Sequence, residues 1–411
     1  MAWQDAYNDP DPLNFSKPHF HVAMVLSHVC SRWRSISHSI PLLWSRVNVQ
    51  FPSISKNSIS LVQMFVNTCL EKSHEEPLHF TFIAPSSGQA HTPVLIEAVK
   101  HAHRWKKAML RLGADDISNL PDILPMLEVL VIKDHLFTRL GMSASMIGRI
   151  LVPSIRSLAV TQSDSGLDTC FDLSSLTSLS IRSSFRVVFG LLQRCSRIVS
   201  ADIRIISFEP TGPVELNVVL THLRSLKVYY YCLKGVLGFL TTPSLEELRV
   251  HAEDLSPRTH SFPYSDFCSF IRRSQMPLIT LDISHHVLTD SQLLSMLSML
   301  NSTLSHLIFH AATSYQSDRA LNDTFFRRMT LQSVSHSSIL PHLSHLELGL
   351  AAPVNTALIV QMVQSRSSCL KSFTLIHEIP LCYEDFDVLS NLEDLVFTIC
   401  EEQQRRRGRG L

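Results

Sequence analysis

Pro243-Ser244-Leu245-Glu246-Glu247-Leu248-Arg249-Val250 decides the fold of this chain. Leu245 is an apolar anchor, Leu248 follows three positions later and Val250 two after that. Leu248 and Val250 alternate with Glu247, Arg249 and His251, the period of a strand with one apolar face. One such strand cannot bury that face alone, whereas stacked copies can.

The same grammar returns with anchors at Trp105, Leu127, Ile155, Leu176, Ile198, Leu223, Leu245, Leu278, Leu304, Leu343, Leu370 and Leu392. The intervals are 22, 28, 21, 22, 25, 22, 33, 26, 39, 27 and 22 residues. Most fall in or near the span of about 20–29 residues that marks leucine-rich repeats. The expected fold class is therefore α/β, a leucine-rich-repeat-like solenoid over residues 105–400 with a curved parallel sheet inside and helices outside. The third apolar residue of each unit, from Ile132 and Val160 to Leu375 and Phe397, should form one ladder. Helices are expected at 187–193, 267–273, 292–300 and 356–363, and longer insertions at about 252–276 and 311–340. Regular repeats carry Asn or Cys three residues beyond the third apolar position; here only Cys400 fits, so the repeat is expected to be irregular.

Composition narrows the function. Lys plus Arg and Asp plus Glu are 36 each, so the whole chain makes no case for nucleic acid or an anionic membrane. No apolar run approaches the roughly 18 residues of a membrane helix, and Met1 to Asp5 do not resemble a secretory signal. Nine scattered cysteines without a C-x-x-C pair point to reduced thiols and a cytoplasmic or nuclear location. The sequons at Asn14, Asn301 and Asn322 carry little meaning without secretion. The pairs His19/His21, His101/His103 and His285/His286 lack a matching cysteine or carboxylate cluster, so no metal site is expected. Phosphate loops, zinc-protease helices and nucleophile elbows are missing, and no enzyme activity, catalytic residue or cofactor is expected.

The N-terminal part is organised differently. Residues 1–20 read as irregular. Leu26, Val29, Cys30, Trp33 and Ile36 then fall at helical steps, and Ser39-Ile40-Pro41 ends that helix. Leu42, Leu43 and Trp44 follow as a short apolar turn, and Val47, Val49 and Phe51 alternate as a strand. Residues 51–104 read as a capping and lead-in region, with a helix over 56–73, a strand at Leu78, Phe80 and Phe82, and a helix opened by Thr92-Pro93.

Leu26-Ser27-His28-Val29-Cys30-Ser31-Arg32-Trp33-Arg34-Ser35-Ile36, followed by Pro41-Leu42-Leu43-Trp44, resembles the second half of an F-box. It is most similar to the large F-box families of mushroom-forming fungi, in which irregular leucine-rich repeats follow. The L-P-x-E-[IL]-L helix that opens the family's F-box has no match in residues 1–25, so residues 21–50 form a partial F-box-like segment. The resemblance implies a non-catalytic substrate-recognition subunit of an SCF-type cullin ubiquitin ligase, docked on a Skp-type adaptor. Leu26, Val29, Cys30, Trp33, Ile36, Leu42 and Trp44 would form the F-box half-core or touch the adaptor. The alternative is a repeat-based interaction scaffold that has lost ligase docking.

The strand alternation also nominates a substrate face. Lys107, Arg111, Lys133, Arg182, Arg204, Lys227 and Arg249 fall at interleaved positions in the first half, against Asp202 and Glu247. The second half carries Asp282, Glu347 and Asp394 with His306, His310 and His345. Arg182, Arg204, Lys227 and Arg249 are candidates to bind an acidic or phosphorylated protein segment. The tail at 401–411, with Arg405, Arg406, Arg407 and Arg409, reads as a disordered basic end and is the only argument for nucleic acid.

Overall fold

The computed structural model describes residues 22–51, 56–84, 91–112, 116, 119–132, 150–163, 172–207, 217–251, 262–311, 320–331, 339–350, 353–377, 389 and 395–401. The stretch 1–20, the arginine-rich tail, Lys133, Leu392, Asp394 and much of the two insertions lie outside these described residues, as do the side chains of His285 and His286. The chain divides into two compact units, residues 1–197 and 198–411. Each is α/β, with parallel strands taken in sequence order.

The first unit runs α1 (Val22–Val29), α2 (Ser31–His38), β1 (Arg46–Gln50), α3 (Lys56–Lys72), β2 (Leu78–Ile83), α4 (Thr92–Val99), β3 (Trp105–Arg111), β4 (Val129–Ile132), β5 (Ser157–Ser163), β6 (Ser178–Ser184) and α5 (Phe185–Arg194). Each of its strands pairs in parallel with the next. Register joins Val49, Phe82, Leu110, Ile132, Val160 and Ile181 into one ladder, all buried except the half-buried Ile132.

The second unit runs β7 (Ser200–Ser207), β8 (Val218–Val219), β9 (Ser225–Tyr229), α6 (Tyr230–Phe239), β10 (Leu240–Thr241), β11 (Glu247–His251), α7 (Tyr264–Ser274), β12 (Thr280–His286), α8 (Asp290–Met299), β13 (His306–Ala311), α9 (Asp323–Met329), β14 (His345–Leu350), α10 (Thr356–Ser365), β15 (Ser372–His377) and β16 (Val396–Glu401). The short β8 and β10 form a separate parallel pair. Across the longer strands Ile203, Val228, Val250, Ile283, Phe309, Leu348, Leu375 and Ile399 form the corresponding ladder.

Three particulars differ from the sequence reading. Parallel pairing starts at β1, not at Trp105: Trp44, Val47 and Val49 obey the anchor spacing, and Trp44 is 1% exposed. In β16, Leu375 pairs with Ile399 and Phe373 with Phe397, so the ladder passes through Ile399 instead of Phe397. Leu395, Phe397 and Ile399 alternate evenly, and that pattern leaves the register open by two residues. Cys400, paired with Ile376, is consequently not at the Asn/Cys position. The insertion at 311–340 also holds a helix, α9, capped by the Asn322 side chain on the Thr324 amide at 2.8 Å.

The anchors are reached through tight turns. Trp44, Leu127, Ile155, Leu176, Leu223, Leu245 and Leu343 each donate an amide to the carbonyl three residues earlier, at 2.9–3.4 Å. Pro125, Pro153, Pro243 and Pro341 occupy the second turn position, where a fixed φ near −65° costs nothing. The residue after the anchor then offers one carbonyl to two amides of the following unit. Arg224 O accepts from Glu246 and Glu247, Glu246 O from Ile279 and Thr280, and Ser305 O from Ser344 and His345.

Arginines close several helix ends, where carbonyls lack intrahelical partners. Arg104 donates to Leu70 O at 3.4 Å, in the last turn of α3, and to Glu76 O at 3.2 Å, beyond its end. Arg273, on α7, reaches Leu237 O at 2.6 Å and Leu240 O at 2.7 Å at the end of α6. Arg366, just past α10, does the same for α9.

Candidate functional site

The N-terminal helices leave most of the nominated apolar residues exposed. The expected single helix is broken at Cys30, whose extended backbone (φ −162°, ψ 173°) separates α1 from α2. The two helices pack on each other. Ala23, Ser27 and Ser37 are buried, whereas Val29 is 60% exposed, Trp33 44%, Ile36 38% and Leu42 56%. Val22, Val25 and Ile40 are exposed as well, Cys30 is exposed, and Leu26 is half-buried. Of the seven nominated residues only Trp44 belongs to the core. The buried positions of the hairpin are small residues, Ala23, Ser27 and Ser37, and most of the large apolar side chains lie outside them. Trp44 Nε1 donates to Ser37 O at 2.7 Å, and His38 meets the same indole edge-on at 5.5 Å. Arg34 Nε donates to Ser27 O at 2.9 Å across the break. The hairpin is thus anchored through polar atoms, with an apolar face turned outward.

The interleaved side of the first sheet is not the open charged face expected. Met109, Val131 and Ala159 pair in sequence there and are 2%, 2% and 4% exposed. Lys107 remains exposed, and Arg111 and Arg182 are half-buried, each with a buried Nε that has no hydrogen-bond partner among the described residues. His79 lies beside Lys107 and Arg46 in the register, and burial together with Lys107, Arg46 and Lys106 pushes its pKa down to about 4.

In the second unit the nominated cations stand on adjacent strands. Lys227 pairs in register with Asp202 and with Arg249. Lys227 Nζ lies 3.6 Å from Asp202, and Arg249 lies 2.5 Å from Glu247, which also accepts from Ser225 Oγ at 2.7 Å. Arg204 sits over the Tyr229 ring at 4.5 Å and Lys227 Nζ over the same ring at 5.3 Å. Burial holds the Asp202 pKa above the usual carboxylate range despite Lys227. Burial opposes the charge on Glu247, but its bonds to Ser225 and Arg249 prevail and its pKa falls. This is a charge-compensated face around an aromatic platform. Tyr229 escaped the sequence reading although the same alternation places it beside Arg204.

The histidine-bearing half is also held together across strands. His306 and His345 stack, His310 Nε2 meets Glu347 at 2.8 Å, and His251 Nε2 lies 3.8 Å from Asp282. Arg182 belongs to the first unit, whereas Arg204, Lys227 and Arg249 share the second.

A shallow groove of about 550 Å³ near α4 is lined by Gln63, Thr92, Ile96, Asp116 and Asn119. Its buried Asp116 accepts from His91 at 2.7 Å and Thr92 Oγ1 at 3.3 Å, a polar staple at the start of α4. Burial pushes the Cys69 and Cys195 thiols up to about 12, which leaves them inert at neutral pH. Among the described residues no group of three or more His, Cys, Asp or Glu side chains is placed to hold a metal, and no helix is long and apolar enough to cross a membrane.

Compared with known proteins, the chain matches no family model and no curated sequence.

Proposed function

We propose that this chain is a substrate-recognition subunit of an SCF-type cullin ubiquitin ligase, with the α1–α2 hairpin docking a Skp-type adaptor. The observation that carries the reading is the outward apolar face of Val25, Val29, Trp33, Ile36 and Leu42 on a segment that resembles an F-box. Large side chains left exposed on adjacent helices suit a partner surface, since monomers seldom keep such patches. The units behind it would form a leucine-rich-repeat-like solenoid that presents substrate. Its contribution is proximity: it raises the effective concentration of substrate lysines at the ligase, with no covalent step of its own. The face around Arg204, Tyr229, Lys227 and Arg249 suits a protein segment of mixed or acidic charge. It is less suited to a purely electrostatic grip, because Lys227 and Arg249 already have carboxylate partners.

The test is capture of a purified Skp-type adaptor by the purified chain. Trp33→Ala should cut affinity at least tenfold with an unchanged thermal midpoint, because Trp33 is half exposed and its removal leaves no core cavity. Absence of capture by folded wild-type protein would reject the ligase reading. The second reading is a repeat-based interaction scaffold without ligase docking. It is favoured by the break at Cys30, which divides the motif helix in two.

A further inference from the structure

The histidines of β13 and β14 form a device that does not depend on the ligase reading. His306 and His345 are in register, their rings 4.1 Å apart between centroids and 8° from parallel. Each Nδ1 is held by the serine before it, Ser305 Oγ at 2.7 Å and Ser344 Oγ at 2.9 Å. Ser344 spends its only hydroxyl proton on Ser305 O at 3.2 Å. It must therefore accept from Nδ1–H of His345, which leaves Nε2 as that ring's basic atom. Four residues along β13, His310 crosses to the carboxylate of Glu347 on β14 at 2.8 Å. Gly349 makes room for that crossing, because a Cβ there would lie 2.9 Å from the His310 ring.

We propose that His306 and His345 act as a one-proton pair, so that acidification loosens the strand-opening end of β13–β14 while the His310–Glu347 end stays clamped. Two parallel rings at this separation accommodate one imidazolium against a neutral face, but two would repel at close range. At the other end His310 faces the Glu347 carboxylate instead of a second imidazole, so the two ends differ in the charge their histidines meet.

The surroundings leave the stack uncompensated. Its row reads Thr280, His306, His345 and Ser372 across β12 to β15, without a carboxylate. The carboxylates facing this sheet side from β12 and β14 are Asp282 and Glu347, which lie together in the row of Ile308 and Thr374. Asp282 accepts from Ser284 Oγ at 2.9 Å and approaches His251 of β11, and Glu347 holds His310. Burial and the neighbouring His345 hold the His306 pKa below the ordinary histidine value, in keeping with this arrangement.

The experiment is an imidazole NMR titration of the full chain, together with amide hydrogen exchange across β13 and β14 at pH 7.5 and 5.5, corrected for intrinsic rates. The open state takes one more proton, so below pH 6.5 opening should increase up to about tenfold per pH unit. The two rings should titrate in two separated steps. His345→Gln should remove the second step and the acid-induced opening, and His310→Gln should retain both. The proposal fails if wild-type rings titrate as independent, ordinary histidines, if exchange does not change with pH, or if His345→Gln accelerates as wild type does. The wild-type titration decides the matter even if a variant folds poorly.

Discussion

Arg366 closes over Met329: its Nε and Nη2 atoms donate to the Met329 carbonyl at 2.8 and 2.6 Å. Nη1 and Nη2 continue to Leu340 O at 2.7 Å and Ile339 O at 2.6 Å. The side chain is wholly buried, and these carbonyls are its partners in place of a carboxylate. Burial lowers its pKa to about 10, still well above neutrality, so the guanidinium remains charged.

Arg366→Met should therefore destabilise the second unit far more than a surface arginine would. It keeps much of the apolar volume but strands the carbonyls of Met329 and Ile339, each costing roughly 1–3 kcal/mol when buried without a donor, while Leu340 O keeps the Leu343 amide at 3.2 Å. The expected loss is about 3–5 kcal/mol after partial relaxation, read from denaturant unfolding. Arg366→Lys should recover only part of it, because an ammonium cannot span the same fork. A loss below 1 kcal/mol for Arg366→Met would show that the carbonyls find other donors.

Gly349→Ala tests the close approach on β14. The new Cβ would meet three atoms of His310 at 2.9–3.0 Å, so the ring must move and release Glu347. A cost of about 1–3 kcal/mol is expected, as for other overpacked sites. His310→Ala should remove most of that penalty when combined with Gly349→Ala. Additive losses in the double variant would contradict the contact.

His79 gives the first unit an acid-sensitive term. Its folded pKa, about 4, lies below the unfolded value of 6.5. The unfolded chain therefore binds the proton first, and the contribution is complete above pH 6.5 and lost as pH falls from 6.5 to 4. Across that window about 1–3 kcal/mol should disappear. His79→Gln should flatten the pH dependence of the unfolding free energy by that amount, and an unchanged slope would exclude His79 as its source.

Much of the fold was legible because its grammar is local. Anchor, +3 and +5 positions place the sheet correctly from Trp105 to Leu375, and the helix over 56–73 appears as Lys56–Lys72. The grammar also covers Trp44, Val47 and Val49; Val47 and Val49 read as a strand and lie in β1, but their place after the F-box-like helix hid that this strand opens the parallel sheet. The α6 helix was missed because Tyr230, Gly235 and Gly238 weaken helical propensity locally, and burial of Leu233, Val236 and Leu237 overrides it. Nothing marks Cys30 as a break, since neither Gly nor Pro is nearby. The arginine caps and the histidine stack were beyond any local pattern, because their partners lie some thirty or more residues away.

The doubly used carbonyls after each anchor bear on how such a chain can change over generations. Within each unit these positions are held by Glu128 and Arg156, or by Val199, Arg224, Glu246, Ile279, Ser305 and Ser344. Their side chains share no chemistry, because the junction is made by the peptide group alone. A copy gained by duplication could join its neighbours without matching residues at the seam. The segment returning to the next strand could also lengthen or shrink freely, as the intervals of 21 to 39 residues attest. The backbone supplies a universal coupling, and the side chains at the joints remain open to selection for other ends.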